Sequence, residues 1–241
     1  MRIIGDQSLD MAEPLWRYFK TDRFLDLLQS SHLYFAAARQ FEDPFEGAVA
    51  VLPPGFPVDP RYADLDSHER AFEQLRRLTK VSCWHRATYE SDAMWQLYAG
   101  SRKGVAIRTN AKRIQAAAKP FRLQPEYGHE DLWAGNVNYV DLLKERLRVN
   151  MMDRFWFKHM AFSWEREFRL AVSVRMAEEY GVQVPELGVQ VDFDVSQLVD
   201  RIYLGPSLSE EDIVAIRSAA KQHGIEDRIR VTSMRGTPRY T

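Results

Sequence analysis

From Phe162 to Val174 the chain alternates between apolar and polar positions. Phe162, Trp164, Phe168, Leu170, Val172 and Val174 fall on one side of a period-two pattern, and Ser163, Glu165, Glu167, Arg169 and Ser173 fall on the other. Arg166 alone interrupts the apolar side, where its aliphatic stem can run along the surface. The pattern predicts a β-strand over 162–174 with its polar face in water, and that face carries two carboxylates and a guanidinium in a row.

The rest of the chain alternates short strands with short helices. A strand is expected over 15–19. A helix follows over 21–29, with Thr21 as its N-cap and Phe24, Leu25, Leu27 and Leu28 as its apolar face. A second strand is expected over 33–36. Phe41-Glu42-Asp43-Pro44-Phe45-Glu46-Gly47 reads as a turn, because proline pushes Asp43 out of the helical region. The Pro-rich stretch 53–60 reads as an irregular loop.

A charged helix is predicted over 67–78, with Ala71, Phe72, Leu75 and Leu78 as its buried stripe. A strand over 80–85 comes next. Ser91 caps a helix that carries Met94, Trp95, Leu97 and Tyr98 and stops at Gly100. Beyond it come a strand over 104–108 and a helix over 111–118. The aromatic stretch 120–135 yields no assignment, and 137–140 reads as a short strand.

Leu142, Leu143, Leu147, Met151, Phe155 and His159 recur at a spacing of three to four, which predicts a long helix over 141–160. After the central alternation, strands are expected over 189–193 and 201–204. A helix opens at Ser209 with acids in its first turn, which complement its dipole, and ends at Gly224. A last strand is expected over 229–232. No internal repeat or low-complexity tract breaks the chain. The expectation is one α+β domain over 1–241, with a central, bent, mixed or antiparallel sheet flanked by helices.

Composition narrows the function classes. Thirty-three Lys and Arg nearly balance 34 Asp and Glu, and the net charge of −1 gives no general attraction to nucleic acid or anionic lipid. The single cysteine, Cys83, excludes an intramolecular disulfide and a multi-cysteine zinc site. No window approaches ~18 uninterrupted apolar residues, so no segment is expected to span a membrane. The first residues lack the apolar run of a signal peptide. Together these predict a cytoplasmic protein.

Several motifs occur in a fixed order: Leu15-Trp16-Arg17-Tyr18, the 41–47 turn, Ser82-Cys83-Trp84, Met94-Trp95 with Tyr98, and Gly104-Val105-Ala106-Ile107. Trp164-Glu165-Arg166-Glu167-Phe168-Arg169 and Ile202-Tyr203-Leu204-Gly205 follow. The ordered set resembles the domain of unknown function 2971 family over about residues 14–206, with a C-terminal helix and strand over 207–241 beyond it. Two positions depart from the family pattern. Glu42 stands where the family usually has Asn, and Trp84-His85 stands where Phe-Ser often follows the Cys.

The order of features also resembles the ADP-ribosyltransferases: an Arg on an early strand, a helix, a strand with aromatic residues, and a late strand bearing Glu-x-Glu. The resemblance implies an NAD-consuming transferase, in a bacterial toxin–antitoxin or phage-defence setting, with NAD as substrate and an acceptor that is a protein or a nucleic acid. Glu167 would hold the ribose hydroxyl and stabilise the positive charge that builds on the sugar. Glu165 would orient or deprotonate the acceptor. Arg17 would grip a diphosphate or ribose oxygen, and Tyr34 would stack on nicotinamide. Asp43, Glu46 and Arg169 would complete the ligand site.

Other readings of these residues stay open. Asp43, Glu46, Glu165 and Glu167, with Lys158 nearby in sequence, could bind magnesium or manganese in a hydrolase or nuclease. The same residues could serve a non-catalytic ligand- or protein-binding module, or form a solvated face of surface ion pairs. Cys83 and His85, two apart on a strand, admit a nucleophile pair or a buried structural cysteine. The six histidines lack zinc-site spacing, and no phosphate-binding glycine loop is present.

Overall fold

The computed structural model describes residues 1–4, 9–51 and 65–240, and the loop expected over 53–60 lies outside them. In chain order the strands are β1 (Arg2–Ile3), β2 (Leu15–Phe19), β3 (His32–Ala37), β4 (Thr79–Arg86), β5 (Val105–Thr109) and β6 (Trp133–Asn136). After these come β7 (Asn138–Val140), β8 (Phe157–His159), β9 (Glu167–Ser173), β10 (Gly188–Asp192), β11 (Arg201–Leu204) and β12 (Ile229–Val231). The helices are α1 (Thr21–Ser30), α2 (Leu65–Leu78), α3 (Asp92–Tyr98), α4 (Ala111–Ala117), α5 (Arg175–Glu179), α6 (Val195–Leu198) and α7 (Glu210–Gln222). Helices thus accompany strands paired both parallel and antiparallel, which is the mixed α and β class the pattern predicts.

The chain divides into two compact units, each assembled from three separate stretches. The first comprises Met1–Leu9, Tyr34–Cys83 and Pro120–Gln190, and the second Asp10–Leu33, Trp84–Lys119 and Val191–Thr241.

In the first unit β6 lies between β1, its parallel partner, and β9, its antiparallel partner. β4 follows β9 in the strand order and pairs antiparallel with β3. The core here gathers Ala38, Val81, Phe155, Trp156 and Ala171, with Phe41, Leu75, Cys83, Trp133 and Met152 packed against it. Gly135 stands opposite Arg169 in the β6–β9 register. A Cβ there would meet the Trp156 indole nitrogen at 3.0 Å, so glycine lets that ring lie against the strand. A separate parallel ladder pairs β7 with β8 and sets Tyr139 opposite Lys158.

In the second unit the strand order is β4, β2, β5, β11, β12, antiparallel except for the β11–β12 pair. Its core joins Trp16, Tyr18, Met94, Trp95, Ala99 and Ala106. Ser91, Asn110 and Ser209 cap α3, α4 and α7 with their side chains, because each offers an oxygen to an otherwise unpaired N–H of the first turn. α1 departs from expectation. Lys20 occupies its N-cap with no side-chain bond, while the Thr21 hydroxyl donates to the Lys103 carbonyl at 3.0 Å.

Two larger expectations fail in the first unit. The helix over 141–160 does not form. Asp141 Oδ1 accepts from the Leu143 N–H at 3.2 Å, and Asn150 Oδ1 accepts from the N–H groups of Met152 and Asp153 at 2.9 and 2.8 Å. These local side-chain bonds offer the backbone an alternative to the helical ladder. The Leu147 N–H bonds the Val49 carbonyl, and the segment ends in a 3₁₀ turn (Asp153–Trp156) and β8.

The strand over 162–174 is likewise shorter than its pattern. Met160–Glu165 winds as a 3₁₀ helix, Arg166 caps it in the left-handed region at φ 44°, and β9 begins only at Glu167. Both faces of β9 are buried, so its polar row lies in the interior and not in water. The alternation puts Glu167 and Arg169 on one face of β9, but it does not show what covers that face, and it fails over 162–166. Trp164, on the expected apolar side, is exposed.

Candidate active site

Arg169 organises the buried polar face of β9. Its guanidinium is 1% exposed, donates from Nη1 and Nη2 to the two carboxylate oxygens of Glu46 at 2.6 and 2.9 Å, and donates from Nε to Glu167 Oε2 at 2.6 Å. Nη1 also bonds the Phe155 carbonyl at 2.6 Å. A planar fork suits this division between two acids and a backbone oxygen, which an ammonium could not reproduce. Glu46 reaches it from the 41–47 turn, which closes at Gly47 with φ +74°.

Lys158 forms the second node. Its ammonium binds Glu165 Oε2, lies 3.4 Å from Glu167 Oε1 and 3.9 Å from Asp43 Oδ2, and sits 4.6 Å from the centre of the Phe162 ring. The 3₁₀ helix and the left-handed turn at Arg166 bring Glu165 to this ammonium. The two glutamates therefore converge although only Glu167 belongs to the strand. Tyr139, opposite Lys158 in the ladder, accepts the Glu167 N–H on its hydroxyl at 2.8 Å.

The cluster holds four carboxylates and two cations, all buried: Asp43, Glu46, Glu165 and Glu167 with Lys158 and Arg169. Fewer cations than acids means that a proton is favourable somewhere in the cluster, and burial raises the carboxyls of both Glu46, against the pull of Arg169, and Glu165. Burial, with the negative charge of Glu167 beside it, raises the Glu165 carboxyl to about 7, and in its protonated form it donates a hydrogen bond to Glu167. Burial alone would raise Glu167 too. The charges of Arg169 and Lys158 outweigh that and lower it to about 2. Lys158 is held charged, because the acids around it outweigh its desolvation.

Asp43 is fixed by its own turn. Oδ1 accepts the Phe45 N–H at 2.8 Å, while Oδ2 is buried with no hydrogen-bond donor among the described residues. The Phe45 ring lies against His159, with ring centres 5.0 Å apart.

The structure thus brings together Glu165, Glu167, Arg169, Asp43 and Glu46 of the residues that the sequence singles out. Tyr34 lies on the exposed side of β3, and its hydroxyl donates to Gln40 Oε1 at 3.2 Å. Arg17 belongs to the second unit, where its guanidinium stands over the rings of Phe19 and Trp84 at 5.3 and 5.6 Å. The sequence missed Tyr139 as a site residue and placed Lys158 inside a helix. The short run 157–159 carries no signal for this strand, because its alternation would turn Lys158 outward and the strand buries it.

For Cys83 the structure favours the structural reading, with the side chain half-buried against the core around Val81 and Ala171. Burial, reinforced by the nearby charge of Glu167, pushes its thiol far above the usual range, so it is not a thiolate nucleophile. Among the described residues no three His, Cys, Asp or Glu side chains are grouped to hold a metal ion. Lys158 and Arg169 instead stand between the carboxylates. Among the same residues, no helix is long and apolar enough to cross a membrane.

No family model and no curated protein sequence matches the chain. Among solved structures it is similar to Thermus sp. 2.9 DarT in complex with carba-NAD+, at 10% sequence identity over 93% of this chain and 96% of that one, with a TM-score of 0.36. At that score the likeness carries no functional weight.

Proposed function

We propose that the Glu165–Lys158–Glu167 cluster is the acid–base centre of an NAD-dependent ADP-ribosyltransferase-like enzyme. The observation that carries this reading is the division of labour between two carboxylates around one ammonium. Glu167 stays ionised at neutral pH, and Glu165 exchanges a proton near it.

Transfer breaks the bond between ribose C1′ and the nicotinamide nitrogen, whose electron pair leaves with nicotinamide. Positive charge then develops on the sugar, and a permanently ionised Glu167 stabilises it. The acceptor's lone pair forms the new bond to C1′, and Glu165 takes the proton that the acceptor loses. Arg169, with Glu46 behind it, holds Glu167 in place. The roles that the resemblance implies for Arg17 and Tyr34 rest on the resemblance alone.

The test is nicotinamide release from NAD by wild type and Glu167→Gln, with and without chelator and cell extract. The reading predicts chelator-resistant release that the substitution abolishes. No release with extract, together with no thermal stabilisation by NAD, contradicts it. A ligand-binding module without turnover is the second reading, and the two cations already held by Glu167 favour it. In that case wild type binds NAD but releases no nicotinamide.

A further inference from the structure

Of the four carboxylates in the cluster, Asp43 is the one with a buried oxygen that no donor reaches among the described residues. Glu46 has both oxygens on Arg169, Glu167 has one on Arg169 and the other beside Lys158, and Glu165 is bound to Lys158. The Asp43 side chain is 4% exposed, and its Oδ2 makes no hydrogen bond among the described residues. A buried acceptor left in this state is destabilising, and such groups are satisfied by water or by a bound ligand.

We infer that Asp43 Oδ2 and Lys158 Nζ form a subsite for a sugar hydroxyl of the bound ligand. Their separation of 3.9 Å is too long for a direct hydrogen bond. It is short enough for a single oxygen to lie within hydrogen-bond distance of both. That oxygen must donate to a carboxylate and accept from an ammonium. A hydroxyl does both, whereas a phosphate oxygen at neutral pH has no proton to give and an ammonium cannot accept. A metal cation fits poorly, because the Lys158 charge stands against it. Lys158 has a donor to spare, since an ammonium has three N–H groups and two are directed at Glu165 and Glu167. The turn fixes the geometry in advance, with Oδ1 occupied by the Phe45 N–H.

This inference rests on the proposed reading of the cluster and assigns the hydroxyl contact to Asp43, while Glu167 is left to its charge. Asp43→Asn keeps an oxygen for the Phe45 N–H and turns the free acceptor into a donor. Asp43→Ser keeps a turn acceptor and deletes the second oxygen. Calorimetric titration of wild type and both variants with NAD, ADP-ribose and nicotinamide separates the possible contacts, and melting curves confirm that the variants are folded.

The expected result is at least a tenfold weakening of ADP-ribose binding in both folded variants, with nicotinamide binding unaffected. Unchanged ADP-ribose affinity, a loss confined to nicotinamide, or a wild type that binds no ribose-bearing probe overturns the subsite. Nicotinamide release is read in parallel. A wild type that binds ADP-ribose through Asp43 but never turns NAD over refutes the transferase reading and leaves the subsite standing. Turnover and affinity that ignore Asp43 do the reverse.

Discussion

Tyr139 and Lys158 face each other across the parallel β7–β8 ladder, and both side chains end on Glu167. The tyrosine hydroxyl takes the Glu167 N–H at 2.8 Å, and the ammonium lies 3.4 Å from its Oε1. Two three-residue strands thereby fix the backbone and the charge of the residue on which the proposed chemistry turns.

Removing the ammonium tests that arrangement. Lys158→Met leaves Asp43, Glu165 and Glu167 without their shared cation, and breaking a buried ion pair from one side costs about 3–5 kcal/mol. The loss is expected in full at pH 8, where Glu165 is ionised beside Glu167, and is smaller at pH 5, where Glu165 carries a proton. Urea unfolding at both pH values checks it. An equal loss at both would mean that charge is not what Lys158 contributes.

The split titration of the two glutamates sets the pH dependence of stability. Glu165 is raised from 4.5 to about 7, so the folded state holds its proton more tightly than the unfolded chain does. Its contribution is fully present below 4.5 and is lost as pH rises through 7, by roughly 3 kcal/mol in all. Glu167 is lowered from 4.5 to about 2 and acts in the opposite sense. Its contribution is present above 4.5 and is lost as pH falls toward 2. Glu165→Gln is therefore expected to flatten the decline between pH 5 and 8 and to spare the acid limb, as measured by denaturant unfolding across pH.

Cys83 should behave as a core residue. With its thiol pushed well above the ordinary range, iodoacetamide at pH 8 is expected to label it slowly in the native protein and rapidly in urea. Fast native labelling, read by mass spectrometry, would contradict the placement of this thiol beside Glu167.

The sequence made the capped elements legible, because Ser91, Asn110 and Ser209 announce their helices by local chemistry. It also brought Glu165, Glu167, Arg169, Asp43 and Glu46 forward as one group. Segment 141–160 was not legible. Its apolar spacing fits a helix, but Asp141 and Asn150 tie the backbone into turns, and Leu143 and Met151 of the supposed buried stripe are exposed. Misreading that segment concealed β8, and with it the way Lys158 enters the site. The burial of the polar face of β9 was invisible for a related reason. Period two assigns a face to each residue, but the cover over Arg169 comes from Phe41 and Glu46, far away in the chain, and from the Phe155 carbonyl.

The central claim is that Glu165 and Glu167 divide acid–base and electrostatic work in NAD chemistry. The most direct measurement is the pH profile of nicotinamide release for wild type, Glu165→Gln and Glu167→Gln. The account predicts a wild-type rate that rises through an apparent pKa near 7, set by Glu165. Glu165→Gln should lose that inflection and roughly 10²–10⁴ in rate, the usual contribution of a general base. Glu167→Gln should be inactive at every pH. A Glu165→Gln enzyme with the wild-type profile, or a wild type with no release at any pH, would contradict it.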